Sequence, residues 1–284
     1  MKPRLLVTGA AGFVGGHLIH LATRHFTVSG TLHRTPSISI PDVTFHVCDL
    51  QQPEAVRILL DRVRPDVLIH TACSEQGEGL PAIVPAAALL GMQTKERGIR
   101  FIHLSTDQVF DGTAPPYTED SPTTPIHPYG RAKAQAEELI ASVNPRAVIV
   151  RTSMIYDLRT PDRQTRQLIH TTETGEPYRL FSDEFRCPVW VKNLCEIFLE
   201  WAGTDYAGIL HLGGPERLNR WDFGMKLLDH FGITPTPNIQ QGTIEESGLL
   251  RPKDLTMDSS KAAHLLSIPL LSIEQAKTHQ SPCP

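Results

Sequence analysis

Arg4-Leu5-Leu6-Val7-Thr8-Gly9-Ala10-Ala11-Gly12-Phe13-Val14-Gly15-Gly16-His17-Leu18-Ile19 decides the fold. A short apolar run, Leu5 to Val7, leads into glycines at 9, 12 and 15 and then into a helical pattern that continues through Arg24. In such a strand–turn–helix, Gly9 permits the tight turn, Gly12 lets the backbone approach a pyrophosphate, and Gly15 lets the helix pack closely on the sheet. The N–H groups exposed at the start of that helix would hold the phosphates. A glycine-rich turn with no ligand is the plainer alternative. Strand, glycines and helix nonetheless stand in the order that a dinucleotide requires.

Outward from this turn the same rhythm repeats. Strand-like runs fall at 4–8, 26–31, 43–48, 66–72, 100–105 and 147–153, with helical stretches at 13–24, 53–63, 82–97 and 129–142 between most of them. Strand–helix alternation predicts an α/β fold, a doubly wound parallel sheet of Rossmann type with helices on both faces. After about residue 153 the rhythm changes. Helical patterns at 161–174, 191–202 and 219–231 interleave with short strands near 178–181 and 208–213. The expected division is therefore a dinucleotide-binding part over 1–153 and a smaller, mainly substrate-binding α/β part over 154–284, with some later segments returning to the sheet. The proline-rich segment Pro115 to Pro128 reads as a long loop, of the kind that reaches over a ligand or simply crosses the surface.

The chemistry sits between Ser105 and Lys133. Ser105-Thr106-Asp107 ends an apolar run, and Tyr129-Gly130-Arg131-Ala132-Lys133 opens a helix. A tyrosine and a lysine four residues apart project from one helical face. An ammonium beside a phenol favours the phenolate and draws the tyrosine toward the working range of a general acid. A hydroxyl from Thr106 could share a carbonyl oxygen with Tyr129. That constellation suits adding or removing a hydride at a carbon that bears oxygen.

Together, the two motifs resemble the extended short-chain dehydrogenase/reductase family, whose fingerprint is Thr-Gly-x-x-Gly-x-x-Gly with Tyr-x-x-x-Lys. Within it the chain is similar to the dTDP-4-dehydrorhamnose reductase group of sugar-nucleotide reductases. The narrower likeness is carried by Leu104 to Gly112, Pro116 to Asp120, Pro128 to Lys133, Arg151-Thr152-Ser153, Asp183-Glu184-Phe185 with Pro188, Gly208 to Leu212, and Arg251-Pro252 with Asp258 and Lys261. It runs from about residue 4 to 266. The resemblance implies Thr106, Tyr129 and Lys133 as catalytic residues. It places the cofactor against Gly9, Gly12, Phe13, Val14, Gly15, Arg34, Asp49, Leu50 and Ala72 as well as Tyr129 and Lys133. Asp107 and Arg251 are implied on the substrate, Arg251 at its diphosphate, with Asp254 a weaker candidate. Asp49 is equally able to cap the helix near Pro53. The chain departs from the group at Gln108, Met154 and Arg186, where tyrosine, tryptophan and glycine are usual. The segment after the fourth strand, Thr71 to Gly79, differs as well.

The cofactor preference is partly legible. An acid near the end of the second strand would bind an adenosine ribose 2′-hydroxyl and repel a 2′-phosphate. Thr27 to Arg34 contains no acid, and Arg34 can pair with a phosphate, so NADPH is favoured over NADH. The expected activity is NADPH-dependent reduction of the 4-keto group of a nucleotide sugar. Two alternatives stay open: another enzyme of the family, such as a nucleotide-sugar epimerase, or a non-catalytic NADP-binding subunit similar to the regulatory subunit of methionine adenosyltransferase. A homodimer also stays open.

Composition fits a soluble enzyme. Hydrophobic residues at 40% and charged residues at 20% argue against disorder, and a net charge of −4 gives no reason to expect nucleic-acid or membrane binding. Cys48, Cys73, Cys187, Cys195 and Cys283 show no Cys-x-x-Cys spacing, and Cys48 and Cys73 read as inert core residues. The 13 histidines form no His-x-x-x-His pattern, so no metal is expected. The glycines explain the apolar N-terminal run better than a signal peptide does, and the expected location is the cytoplasm.

Overall fold

In a computed structural model, described over residues 2–33, 39–73 and 79–279, the N-terminal rhythm is realised almost element by element. β1 (Arg4–Thr8) buries its last four residues and turns into α1 (Phe13–Ala22). There follow β2 (Thr27–Leu32), β3 (Val43–Val47), α2 (Pro53–Val63), β4 (Val67–His70), α3 (Ile83–Glu96), β5 (Arg100–Thr106), α4 (Pro128–Val143) and β6 (Val148–Thr152). Further on come β7 (Ile155–Tyr156), α5 (Arg163–Thr174), β8 (Tyr178–Phe181), β9 (Phe185–Arg186), β10 (Val189–Trp190), α6 (Val191–Ala202) and β11 (Gly208–Leu212). The remainder is β12 (Leu218–Asn219), α7 (Arg220–His230), β13 (Ile239–Gly242), α8 (Ile244–Ser247), α9 (Ser260–Leu265) and α10 (Ile273–Thr278).

Seven strands form one sheet in the order β3-β2-β1-β4-β5-β6-β11, and β1 to β5 pair in parallel. This is the expected doubly wound Rossmann-type sheet. Its strand order reverses between β1 and β4, where ligands of such sheets bind. The central strands read as unbroken apolar runs because both of their faces are covered. Every residue of β4 and of β6 is buried.

The chain divides into two compact units. The first takes the residues up to Thr106, with 127–151 and 194–210. Its core joins Leu6, Leu68, Phe101 and Ile149 of the sheet to Val56 and Leu60 of α2, Leu90 of α3 and Ile140 of α4. Each such buried side chain contributes about 1.5–3 kcal/mol relative to exposure. Small residues bring α3 close to α4. A Cβ at Gly91 would stand 3.1 Å from a Val143 methyl.

The second unit takes 107–126, 152–193 and 211 onward. Its own cluster packs Leu168 of α5, Leu180 of β8, Leu228 of α7 and Ile239 of β13. The Pro115–Pro128 loop is held to this unit through most of its length. The Tyr117 ring stacks on Phe110 at 4.0 Å, its hydroxyl donates to Asp111, Thr124 N donates to Val109 O, and Glu119 accepts from His211 N.

Candidate active site

α4 begins cleanly because Pro128 occupies its first turn, where no backbone donor is needed. That start places Tyr129 and Lys133 one turn apart, as the spacing predicts. Lys133 is 1% exposed. Its Nζ donates to Leu104 O at 2.5 Å and lies 3.1 Å from His103 Nε2, both on β5. Burial lowers the lysine pKa, and the nearby Cys73 and Glu137 work against that shift.

Behind the lysine stands a buried pair of imidazoles. His103 and His70 face each other with ring centroids 5.1 Å apart, and His70 Nδ1 lies 2.6 Å from Thr8 Oγ1. Burial, reinforced by the Lys133 charge, holds His70 down to about 3 and His103 well below its ordinary value. Both rings are therefore neutral at physiological pH. His103 Nε2 is then free to accept from the ammonium, while its Nδ1 has no partner among the described residues.

Thr106 ends β5 and is 7% exposed. The Tyr129 hydroxyl lies 4.0 Å from Cys73 Sγ. Cys73 corrects the sequence expectation of an inert core residue, since it is exposed. β4 stops at His70, so Cys73 lies beyond the strand that was expected to bury it. Cys48 is buried, as expected.

One turn beyond Lys133, Glu137 anchors the helix from below. It accepts from Arg151 of β6 at 2.8 and 3.0 Å and from Ser105 of β5, and both members of the ion pair are about 3% exposed. Sequence reasoning missed Glu137, His103 and His70. Glu137 had a signal, because Tyr129, Lys133 and Glu137 follow one another at four-residue steps on one face.

The glycine turn tests whether a dinucleotide fits. Gly9 has φ 73°, and a Cβ there would stand 2.7 Å from Ala72 Cα. A Cβ on Gly15 would fall 2.2 Å from Gly9 O. Gly12 caps α1 without a side chain, so the first N–H groups of the helix, beginning with Phe13 and Val14, keep no side-chain cap. This is a side-chain-free cradle at a positive helix end, and it fits a pyrophosphate. Leu50 packs against the core. Asp49 does not cap α2: its Oδ1 accepts from Gln51 N at 3.0 Å, and Gln52 is the N-cap. Arg34 lies outside the described residues.

In the second unit, Asp107 is 3% exposed. Its Oδ2 accepts from Ser153 Oγ at 2.7 Å and lies 3.7 Å from Arg186 Nε. Arg186 also pairs with Glu184 at 3.1 Å and donates to Phe185 O. Arg251 places Nε 2.8 Å from Glu184 and lies over the Phe181 ring, with 38% of its side chain exposed. Asp254 is held by Arg217 at 2.7 Å. A cavity of about 500 Å³ in this unit is lined by Cys187, Gly213, Arg217, Met257 and Ser259 among others, and none of the expected site residues border it. Among the described residues no group of three or more His, Cys, Asp and Glu is placed to hold a metal, and no helix is long and apolar enough to cross a membrane.

Comparison with known proteins agrees with this architecture. The chain is 31% identical over 221 residues to a dTDP-4-keto-6-deoxy-D-glucose reductase of Streptomyces niveus, covering 74% of this chain and 73% of that one. It is 26% identical over 275 residues to the methionine adenosyltransferase 2 subunit beta of Xenopus tropicalis, covering 91% and 81%. The crystal structure of a dTDP-4-dehydrorhamnose reductase from Bacillus anthracis in complex with NADP superposes with TM-score 0.81 at 22% identity, over 95% of this chain and 96% of that one. Residues 2–279 match the RmlD substrate binding domain family, and with that extent of match the chain belongs to it.

Proposed function

We propose that this chain is an NADPH-dependent reductase of the 4-keto group of a nucleotide sugar, with Thr106, Tyr129 and Lys133 as its catalytic residues. The observation that carries the reading is a fully buried Lys133 ammonium, fixed by His103 and Leu104 O one turn below Tyr129. The family and the name of the Streptomyces relative support the substrate class. The cradle at Gly9, Gly12, Phe13, Val14 and Gly15, with Ala72 beside it, would hold the cofactor diphosphate. Asp49 and Leu50 belong to the adenosine end. NADP in the Bacillus neighbour and the absence of an acid before Arg34 favour NADPH.

When bound, the nicotinamide supplies a hydride. Tyr129 gives its hydroxyl proton to the oxygen that becomes an alkoxide, and Thr106 donates to the same oxygen. Lys133 favours the resulting phenolate electrostatically and would hold the cofactor ribose when the cofactor is bound. The buried, neutral His103 holds the ammonium in place without repelling it. The part over 154–284, apart from the segments that return to the sheet, mainly binds substrate, with Asp107 near the sugar and Arg251 on the diphosphate.

The match to the methionine adenosyltransferase subunit favours a second reading, a cofactor-binding partner subunit. Incubation with a panel of 4-keto nucleotide sugars, following NADPH absorbance, decides between them. Turnover of at least one panel member is expected. No turnover, together with no binding of any nucleoside diphosphate at millimolar concentration, would favour the partner subunit.

A further inference from the structure

Within the first unit, β5 outruns the strand beside it. Its register with β4 closes at His70 beside His103, so Leu104, Ser105 and Thr106 continue past that strand. Side chains of α4, the helix that carries Tyr129, fasten the first two of these residues. Leu104 O accepts from Lys133 Nζ at 2.5 Å, and Ser105 Oγ donates to Glu137 Oε1. Strand alternation sets His103 and Ser105 on one face of β5, and helical spacing sets Lys133 and Glu137 one turn apart on α4. One helix therefore holds one strand end at two points. Ser105, Glu137 and Arg151 are each about 3% exposed, so water does little to weaken the contacts.

We propose that Ser105 is a positioning residue, whose hydrogen bond to Glu137 holds Thr106 in register with Tyr129. The proposal rests on the reductase reading above and adds a residue to its machinery. Three observations carry it. First, Ser105 is joined directly to Thr106, and Glu137 stands two four-residue steps beyond Tyr129 on one helix. The contact therefore links the two groups that are to share one oxygen.

Second, the serine hydroxyl donates to a carboxylate, and such a charge-assisted bond is about twice as strong as a neutral one. Third, Glu137 does not depend on Ser105 for its charge partner. Arg151 donates to Oε2 at 2.8 and 3.0 Å and to Oε1 at 3.2 Å. The ion pair with Arg151 supplies stability, and the serine supplies direction, fixing where the end of β5 lies relative to α4. Direction matters because a misplacement of about 1 Å can slow a reaction about a hundredfold.

Ser105→Ala deletes the contact and leaves the Glu137–Arg151 pair in place. Single-turnover hydride transfer, with the fastest substrate of the 4-keto panel, is followed by stopped-flow NADPH absorbance. Ser105→Ala is expected to slow it at least about tenfold, while the Kd of NADPH and the KM of the sugar nucleotide change less than about twofold. Ser105→Cys, similar in size but a weak donor, should fall between Ser105→Ala and wild type. A double-variant cycle then asks which residue the serine acts through. In a Thr106→Val background, removing the Ser105 hydroxyl should slow transfer by less than about a further twofold.

Circular dichroism melts establish that each protein is folded at the assay temperature. Transfer in Ser105→Ala within about twofold of wild type would overturn the proposal and leave Ser105 a packing group. If Ser105→Ala does not fold, a Ser105→Cys rate within about twofold of wild type overturns it instead. So would a tenfold loss that persists undiminished in Thr106→Val, since the serine would then act elsewhere. A wild-type protein that turns over no panel member fails the reductase reading and the proposal with it, so the wild-type rate tells the two failures apart.

Discussion

Replacing Glu137 by glutamine keeps the volume of the side chain but deletes the charge that Arg151 faces in the interior. Both residues are about 3% exposed, so water does little to screen the pair, and the contacts at 2.8 and 3.0 Å are of charge-assisted length. Breaking such a pair from one side strands a buried guanidinium at a cost of about 3–5 kcal/mol. Set against the total stability of an ordinary domain, about 5–15 kcal/mol, this is a large fraction. For a chain of this size each kcal/mol lowers Tm by about 2 °C, so the expected fall is about 6–10 °C. Urea unfolding followed by circular dichroism measures it directly, through a lower midpoint at unchanged slope. The double variant Glu137→Leu/Arg151→Leu removes both charges and should recover most of the loss. A loss under about 1 kcal/mol in Glu137→Gln, or a double variant worse than the single one, would show that the pair does not hold α4 as argued.

Four further outcomes are expected. Tyr129→Phe should lower turnover at least about a hundredfold with cofactor binding nearly intact, and stopped-flow hydride transfer at near wild-type rate would remove Tyr129 from the mechanism. Gly15→Ala drives a Cβ to within 2.2 Å of Gly9 O, so it should cost about 1–3 kcal/mol of stability and weaken NADPH in a fluorescence titration; an unchanged melt refutes this. Arg251→Ala should weaken nucleoside diphosphate binding by about 1.5–3 kcal/mol while NADPH affinity, read by calorimetry, holds steady. His70 and His103 make stability depend on pH. Their imidazoles take a proton near 6.5 once unfolded, but His70 does so only near 3 when folded. Stability is therefore complete above about pH 6.5 and falls by about 1.4 kcal/mol per pH unit for each imidazole as the pH drops through that window. Urea unfolding at a series of pH values should show this slope, reduced by about half in His70→Asn, and a flat profile between pH 6.5 and 5 would contradict it.

The sequence was most legible where one local rule decides the outcome. Gly9 and Gly15 announce a turn where a Cβ would meet backbone atoms, and α2 starts at Pro53, where the sequence places the start of a helix. Tyr129 and Lys133 were readable because helical spacing alone makes them neighbours. Whatever depends on distant pairing was opaque. β9 finds its partner β12 more than thirty residues on, and two-residue strands carry no period. Nothing local links His70 to His103, which stand side by side through the parallel pairing of β4 with β5.

The order of strands in the sheet also sets a schedule for synthesis. β6 is buried along its whole length, yet its outer neighbour β11 is made about 60 residues later. At about 5–20 residues per second, the ribosome leaves that strand with an open edge for roughly 3–12 seconds. Val148, Ile149 and Val150 are then an adhesive ribbon beside any other nascent chain.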